Sequence, residues 1–298
     1  MKKSLTRLLL LPIVLLFANG VLAQTRASTA QPNVTVLPPL AMPGLDRQRS
    51  IRLYLPPGYA RSTKRYPVLY MHDGQNLFDD ATSFVGEWGV DETLNALAGA
   101  PKASRLEVIV VGIDHGGDKR LTELVPWDHP RVGKAEGQAY MEFVVKVVKP
   151  FIDRNYRTRP AREDTAIMGS SLGGLISQYA LYTYPAVFSK AGILSPAYWI
   201  ADPAYAQAAT QVLRRDTRVY FMAGGKEPGK TVENMERMAA MFREKSSLGD
   251  NVHVEVVADA EHNEAAWRAA FPKAVSWLFA KTTQREASAG KAHLGNSD

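Results

Sequence analysis

Apolar positions along the chain recur with two periods. "IRLYLP" and "YPVLYMHD" read as strands, and "LEVIVVGID" is apolar without a break, as in a strand covered on both faces. In "GQAYMEFVVKVVKPFIDRNY" the residues Met141, Val144, Val145, Val148 and Ile152 recur at helical spacing, and Pro150 is expected to end or bend that helix. The alternation then continues: "DTAIMG" (strand), "LGGLISQYALYTY" (helix), "AGILS" and "RVYFMAGG" (strands), "TVENMERMAAMFREK" (helix), "NVHVEVVAD" (strand) and "NEAAWRAAFPKAVSWLFA" (helix). Strand–helix alternation predicts an α/β fold, a mostly parallel central sheet with helices on both faces. No internal repeat or linker divides it, so residues 46–281 are expected to form one domain.

The ends of the chain do not share the pattern. Lys2, Lys3 and Arg7 precede a short apolar run, Leu8 to Phe17, and the small-residue site Val21-Leu22-Ala23 follows, which is the arrangement of a secretory signal over residues 1–23, cleaved after Ala23. The run is too short to span a bilayer comfortably, so no stable membrane insertion is expected once it is removed. Residues 24–45 are polar and proline-containing and read as a flexible or edge-lying lead-in; residues 282–298 lack apolar periodicity and read as a disordered tail.

Composition narrows the chemistry. The formal net charge of +6 falls to +3 when Lys2, Lys3 and Arg7 leave with the signal, and no basic–aromatic cluster remains, which argues against a nucleic-acid partner. With 0 cysteines there is no thiol nucleophile, disulfide or cysteine-ligated metal. A periplasmic or secreted protein held together by its core alone is the expectation.

In open α/β sheets ligands gather at the carboxyl ends of the strands. There, Gly169-Ser170-Ser171-Leu172-Gly173 fits G-x-S-x-G between a strand and a helix, the context of a sharp turn that presents the central serine. Ser171 is therefore the candidate nucleophile and the Leu172 amide, at the helix N-terminus, a candidate oxyanion donor. Ser170 has the wrong offset, since its side chain should point back toward the sheet. A serine needs a base, and of 6 histidines His262 lies in a strand-end loop after the serine, in the chain order serine, acid, histidine. The acid should come from a strand-end loop between them. Glu227, just after "RVYFMAGG", satisfies this; Asp216 precedes that strand, and Asp259 and Glu261 share the histidine's own loop. In "HDGQNLFDD", Gly74 lets the backbone turn inward, which makes Gln75 the second oxyanion donor, with Asn76 as alternate. Trp88 and Trp199 are candidate aromatic walls for a substrate, with core or rim positions as the competing placement, and Arg120 and Glu123, spaced R-x-x-E, read as a structural ion pair. No metal or organic cofactor is required by this set.

With these residues in order, the chain resembles the putative esterase family of α/β-hydrolases. The resemblance spans about residues 48 to 280 and rests on "YPVLYMHDGQNLF", "VIVVGIDHGGDKRLTEL", "IMGSSLGGLISQYA", "GILSPAYW" and "AEHNEAAWR". It implies an α/β-hydrolase fold, Ser171 as nucleophile, His262 as base, an acid at Glu227 and an amide near Gly74-Gln75 facing the oxyanion. The family includes siderophore, feruloyl and acetylxylan esterases, S-formylglutathione hydrolase and mycolyltransferases. The implied function is an exported serine esterase acting through an acyl-enzyme on a polar or bulky ester, such as a siderophore lactone or an acylated saccharide. An acyltransferase would use the same triad, and a non-catalytic binding protein would keep only the fold. The short segment between "LSPAYW" and the strand at Arg218 leaves no room for a large lid.

Overall fold

The computed structural model of the protein describes residues 26–280. The expected signal segment, residues 1–23, and the expected tail, residues 282–298, lie outside the described residues.

Eight strands form one sheet in the order β1-β2-β4-β3-β5-β6-β7-β8. They are β1 (Val34–Met42), β2 (Arg47–Tyr54), β3 (Val68–His72), β4 (Ile109–Ile113), β5 (Thr165–Ser170), β6 (Lys190–Leu194), β7 (Arg218–Gly224) and β8 (Val252–Val257). The β1–β2 and β2–β4 pairs are antiparallel, and every pair from β4 through β3 to β8 is parallel. The parallel strands β3, β4 and β5 are buried at every position, which is why β4 reads as an unbroken apolar run.

Helices cover both faces. In chain order they are α1 (Val90–Gly99), the short α2 (Arg120–Glu123), α3 (Gly137–Phe143), α4 (Lys149–Asn155), α5 (Leu172–Thr183), α6 (Asp202–Thr210), α7 (Thr231–Lys245) and α8 (Glu264–Phe279). Tyr140, Val144, Val148, Leu175, Tyr179, Met238 and Phe242 pack on one face with Ile167, Ile193 and Phe221. On the other face Leu94 of α1 and Trp267, Phe271 and Val275 of α8 pack with Met71, Met168 and Met222. The side-chain alternation of each strand thus feeds two separate cores.

The sheet begins at Val34, so of the two readings of the lead-in, flexible or edge-lying, its second half takes the edge: it is an edge strand, held to β2 from Val34↔Tyr54 to Met42↔Arg47. Pro150 disturbs its helix without ending it: a π-helical turn at Val144–Val148 precedes the proline in the first turn of α4, where the ladder of backbone bonds lacks one N–H. The helix α1 between β3 and β4 was not anticipated. Between β6 and β7 there is only a 3-10 turn and the nine-residue α6, so no lid-sized insertion occurs there. Among the described residues no helix is long and apolar enough to cross a membrane.

Candidate active site

The turn from β5 into α5 carries Ser171 at φ 56, ψ −118, a conformation L-residues avoid. Its neighbours explain how it is kept. A Cβ on Gly169 would lie 2.8 Å from the Gly173 carbonyl carbon, so the strand end and the helix start touch backbone to backbone. The Ser171 amide donates to Leu194 O at 2.9 Å, and the Ala197 amide donates to Ser171 O at 3.0 Å, which clamps the turn against the end of β6. Ser171 is half-buried, whereas Ser170, the last residue of β5, is buried at 4% exposure, as its offset predicts. The Leu172 amide opens α5 and adds to the positive end of that helix.

Glu227 and His262 meet although 35 residues separate them: His262 Nδ1 lies 2.8 Å from Glu227 Oε2. Glu227 follows β7 by three residues, and His262 stands between β8 and α8, so both belong to carboxyl-end loops of neighbouring strands. The other carboxylate oxygen, Oε1, accepts from the Ser195 hydroxyl at 2.5 Å and from the Gly224 amide at 2.8 Å. Burial raises the Glu227 pKa, but the hydrogen bonds from His262, Ser195 and Gly224 outweigh it and hold the carboxyl below its usual range. The competing acids are occupied elsewhere. Asp259 is exposed and pairs with Lys226 at 2.9 Å, and Asp216 pairs with Arg162.

Ser195 was not singled out from the sequence. It follows β6 directly with φ 47, and its hydroxyl accepts from the Trp267 indole Nε1 at 2.8 Å while donating to Glu227. Trp267 also sets its ring edge-on to His262, centroids 5.1 Å apart. The rule that points to strand ends, applied to "GILSPAYW", would have found Ser195.

The turn after β3 is built differently from the expectation. Asp73, not Gly74, takes the left-handed conformation (φ 56), and Gly74 is buried against β4, where a Cβ would lie 2.8 Å from Gly112 C and 2.7 Å from Asp114 Oδ1. Gly74 therefore seats the turn by close packing. Asp73 is fixed by a two-pronged bond from Arg120, Nε to Oδ1 at 2.6 Å and Nη2 to Oδ2 at 2.9 Å. Burial raises the Asp73 pKa, and Arg120 more than reverses it. Arg120 and Glu123 consequently do not pair with each other: Glu123 takes Arg47 at 2.7 Å and Arg49 at 2.5 Å. The Asn76 amide is spent on Asp73 O at 2.9 Å, which makes it unsuitable as the alternate donor. The Gln75 side chain is anchored through Oε1 to the His115 amide at 3.1 Å, and its carbonyl takes the Thr82 hydroxyl at 2.8 Å.

Of the two tryptophans, Trp88 is 3% exposed and packs against Trp267 and Phe271, with centroids 5.8 and 6.5 Å away. It is a core residue and not a substrate wall. Trp199, in the loop after β6, is 58% exposed, with the Arg131 guanidinium 5.8 Å from its ring. A half-buried serine turn at a helix N-terminus, on the same carboxyl end of the sheet as an imidazole fixed by a carboxylate, is an arrangement suited to acyl transfer.

Comparison with known proteins identifies the family. The family model described as "Putative esterase" matches residues 43–278. The uncharacterized protein YbbA of Bacillus subtilis is 27% identical over 252 residues, covering 78% of this chain and 93% of its own. The endo-1,4-beta-xylanase/feruloyl esterase of Xylanibacter ruminicola is 22% identical over 241 residues, 78% of this chain but 30% of that longer protein. Among solved structures, the enterobactin esterase of Shigella flexneri, crystallised with enterobactin, superposes with a TM-score of 0.69 at 17% identity, over 84% of this chain and 60% of the other. The chain therefore belongs to the putative esterase family, carboxylic ester hydrolases on the α/β-hydrolase fold.

Proposed function

We propose that the protein is an exported serine esterase in which Ser171, His262 and Glu227 form the triad and the Leu172 and Gln75 amides receive the oxyanion. The observation that carries this reading is the 2.8 Å bond from the His262 imidazole to a Glu227 carboxylate held ionised, on the same carboxyl end of the sheet as the strained Ser171 turn.

In the proposed reaction Ser171 Oγ attacks the ester carbonyl carbon while His262 Nε2 takes its proton. Glu227 accepts the hydrogen bond from Nδ1–H, which fixes the tautomer and favours the imidazolium. The two amides bind the oxygen that becomes negative, each worth about 3 kcal/mol to the barrier. The tetrahedral intermediate collapses, the C–O bond to the alcohol breaks, and His262 returns the proton to the leaving alkoxide. Water then attacks the acyl-enzyme with His262 again as base, releasing the acid and restoring Ser171.

A polar or bulky ester is the proposed substrate, of the siderophore-lactone or acylated-saccharide kind. The absence of a lid-sized insertion between β6 and β7 and the exposed Trp199 support an open site, and relatives named as feruloyl and enterobactin esterases point the same way. Export rests on the signal pattern of residues 1–23. The reading is tested by hydrolysis of p-nitrophenyl acetate, then of an enterobactin and feruloyl-saccharide panel, by the wild type and by Ser171→Ala, His262→Ala and Glu227→Ala. Loss of about a thousandfold or more in kcat for Ser171→Ala and His262→Ala, with a smaller loss for Glu227→Ala, supports the reading. Wild-type turnover in any of the three overturns its assignment.

A further inference from the structure

Glu87, Asp91 and Glu92 form a second cluster of titratable groups that the proposed reaction does not use. Glu87 lies in the loop leading into α1, and Asp91 and Glu92 lie in the first turn of that helix. One carboxylate oxygen from each lies within 4.8 Å of those from the other two.

Clustered acids alone would say little. Here each of the three also keeps a buried carboxylate oxygen with no hydrogen-bond partner: Glu87 Oε2, Asp91 Oδ1 and Glu92 Oε2. The Asp91 side chain is wholly enclosed, with 0% exposure, and Glu87 has 6%. Buried, unpaired carboxylate oxygens are rare, because each forfeits its hydration without compensation. Among the described residues, countercharge near the cluster is limited to Arg268, whose Nη1 stands 3.6 Å from Glu87 Oε1. The remaining contacts are neutral donors: the Gln31 amide to Asp91 Oδ2 at 2.8 Å and Gln31 Nε2 to Glu92 Oε1 at 3.5 Å. One guanidinium against three carboxylates leaves the cluster short of positive charge.

We propose that Glu87, Asp91 and Glu92 bind a divalent cation, calcium, which ties the loop entering α1 to the first turn of that helix. The donor set is all oxygen, the preference of hard cations. The spacing suits calcium, which accepts oxygens at about 2.3–2.6 Å in irregular geometry, better than magnesium, which needs a regular octahedron at about 2.0–2.1 Å. The segment that carries Gln31 is held independently to the loop after β3, through Ser28 Oγ to Asp79 Oδ2 at 2.9 Å and the Thr29 amide to Asp79 Oδ1 at 3.1 Å. A cation would thus neutralise the carboxylates on which the Gln31 amide closes, at the start of α1 and one residue from Trp88. The competing occupant is a proton, since burial and then the Glu92 carboxyl push Asp91 up to about 7.

The test uses the whole chain, stripped with EDTA and exchanged into a mildly alkaline buffer where protons compete least. Thermal melts are recorded with calcium chloride or magnesium chloride, and terbium luminescence is read on tryptophan excitation. Asp91→Asn and the less buried Glu92→Gln serve as variants, so that a folding failure in one leaves the other. The expected result is a rise in Tm of about 5 °C or more at saturating calcium, a smaller rise with magnesium, and loss of both the shift and the terbium signal in the variants. No calcium shift in the wild type overturns the site, as does an undiminished shift in both variants, which would place the ion elsewhere. A rise in Tm for Asp91→Asn without any calcium response would assign the cluster to a shared proton instead.

Discussion

His262 Nδ1 and Glu227 Oε2 lie 2.8 Å apart, and the second oxygen of the same carboxylate is filled by the Ser195 hydroxyl and the Gly224 amide. The orientation of the imidazole therefore depends on groups that never reach a substrate. Ser195 is itself held by the Trp267 indole. Replacing Ser195 by Ala removes one donor to the carboxylate and strands the indole N–H. Hydrogen bonds to charged groups are worth about 1.5–3 kcal/mol, so kcat should fall about tenfold or more with KM little changed. Ser195→Gly should do the same while relieving the positive φ. Steady-state kinetics on a p-nitrophenyl ester checks both variants.

The depressed Glu227 pKa has a consequence for acid stability. A carboxyl whose folded pKa lies below its unfolded value adds stability above the unfolded pKa and loses it as pH falls through the folded one. The Glu227 contribution should therefore be complete above about pH 4.5, the unfolded value, and fade below it. Chemical denaturation of the wild type and Glu227→Gln across that range should show the wild-type advantage shrinking toward low pH. An advantage that grows on acidification would contradict the assignment.

Trp88 and Trp199 should separate stability from substrate affinity. Trp88→Ala opens a cavity between α1 and α8 and should cost about 3–5 kcal/mol. Trp199→Ala, at a position already 58% exposed, should leave Tm nearly unchanged and raise KM for bulky aromatic esters more than for acetyl esters. Paired melts and KM values on the two ester sizes provide the check.

Arg120 supports the turn that carries Gln75. Arg120→Met would leave Asp73, at 7% exposure, as a buried carboxylate without its partner. A destabilisation of about 3 kcal/mol is expected, at the low end for a broken buried pair because the guanidinium is partly wet. Arg120→Lys keeps the charge but not the fork, and should lie between the two in Tm and in kcat.

Most of the sheet was legible because parallel strands buried on both faces read as apolar runs, as in "LEVIVVGID". The edge strand β1 was not. Pro38 and Pro39 interrupt it, and the structure places them at the register shift between Leu37 and Leu40, where an edge tolerates proline. The placement of the candidate site was legible in the strand–helix pattern: Ser171 at a strand–helix turn, Glu227 and His262 at strand ends. What escaped were partnerships across long separations. Ser195 and Trp267 are 72 residues apart and Arg120 and Asp73 are 47 apart, and no local period encodes such pairs. R-x-x-E spacing suggested a pair within α2, yet Arg120 reaches Asp73 while Glu123 meets the arginines of β2. Whether an aromatic such as Trp88 lines a site or fills a core is likewise decided by what packs over it.

The central claim is that Ser171 is an activated nucleophile. Intact mass of the protein after treatment with a fluorophosphonate, beside Ser170→Ala and Ser171→Ala, tests it most directly. One adduct on the wild type and on Ser170→Ala, and none on Ser171→Ala, is the predicted result. An adduct that persists in Ser171→Ala, or an unmodified folded wild type, would contradict it.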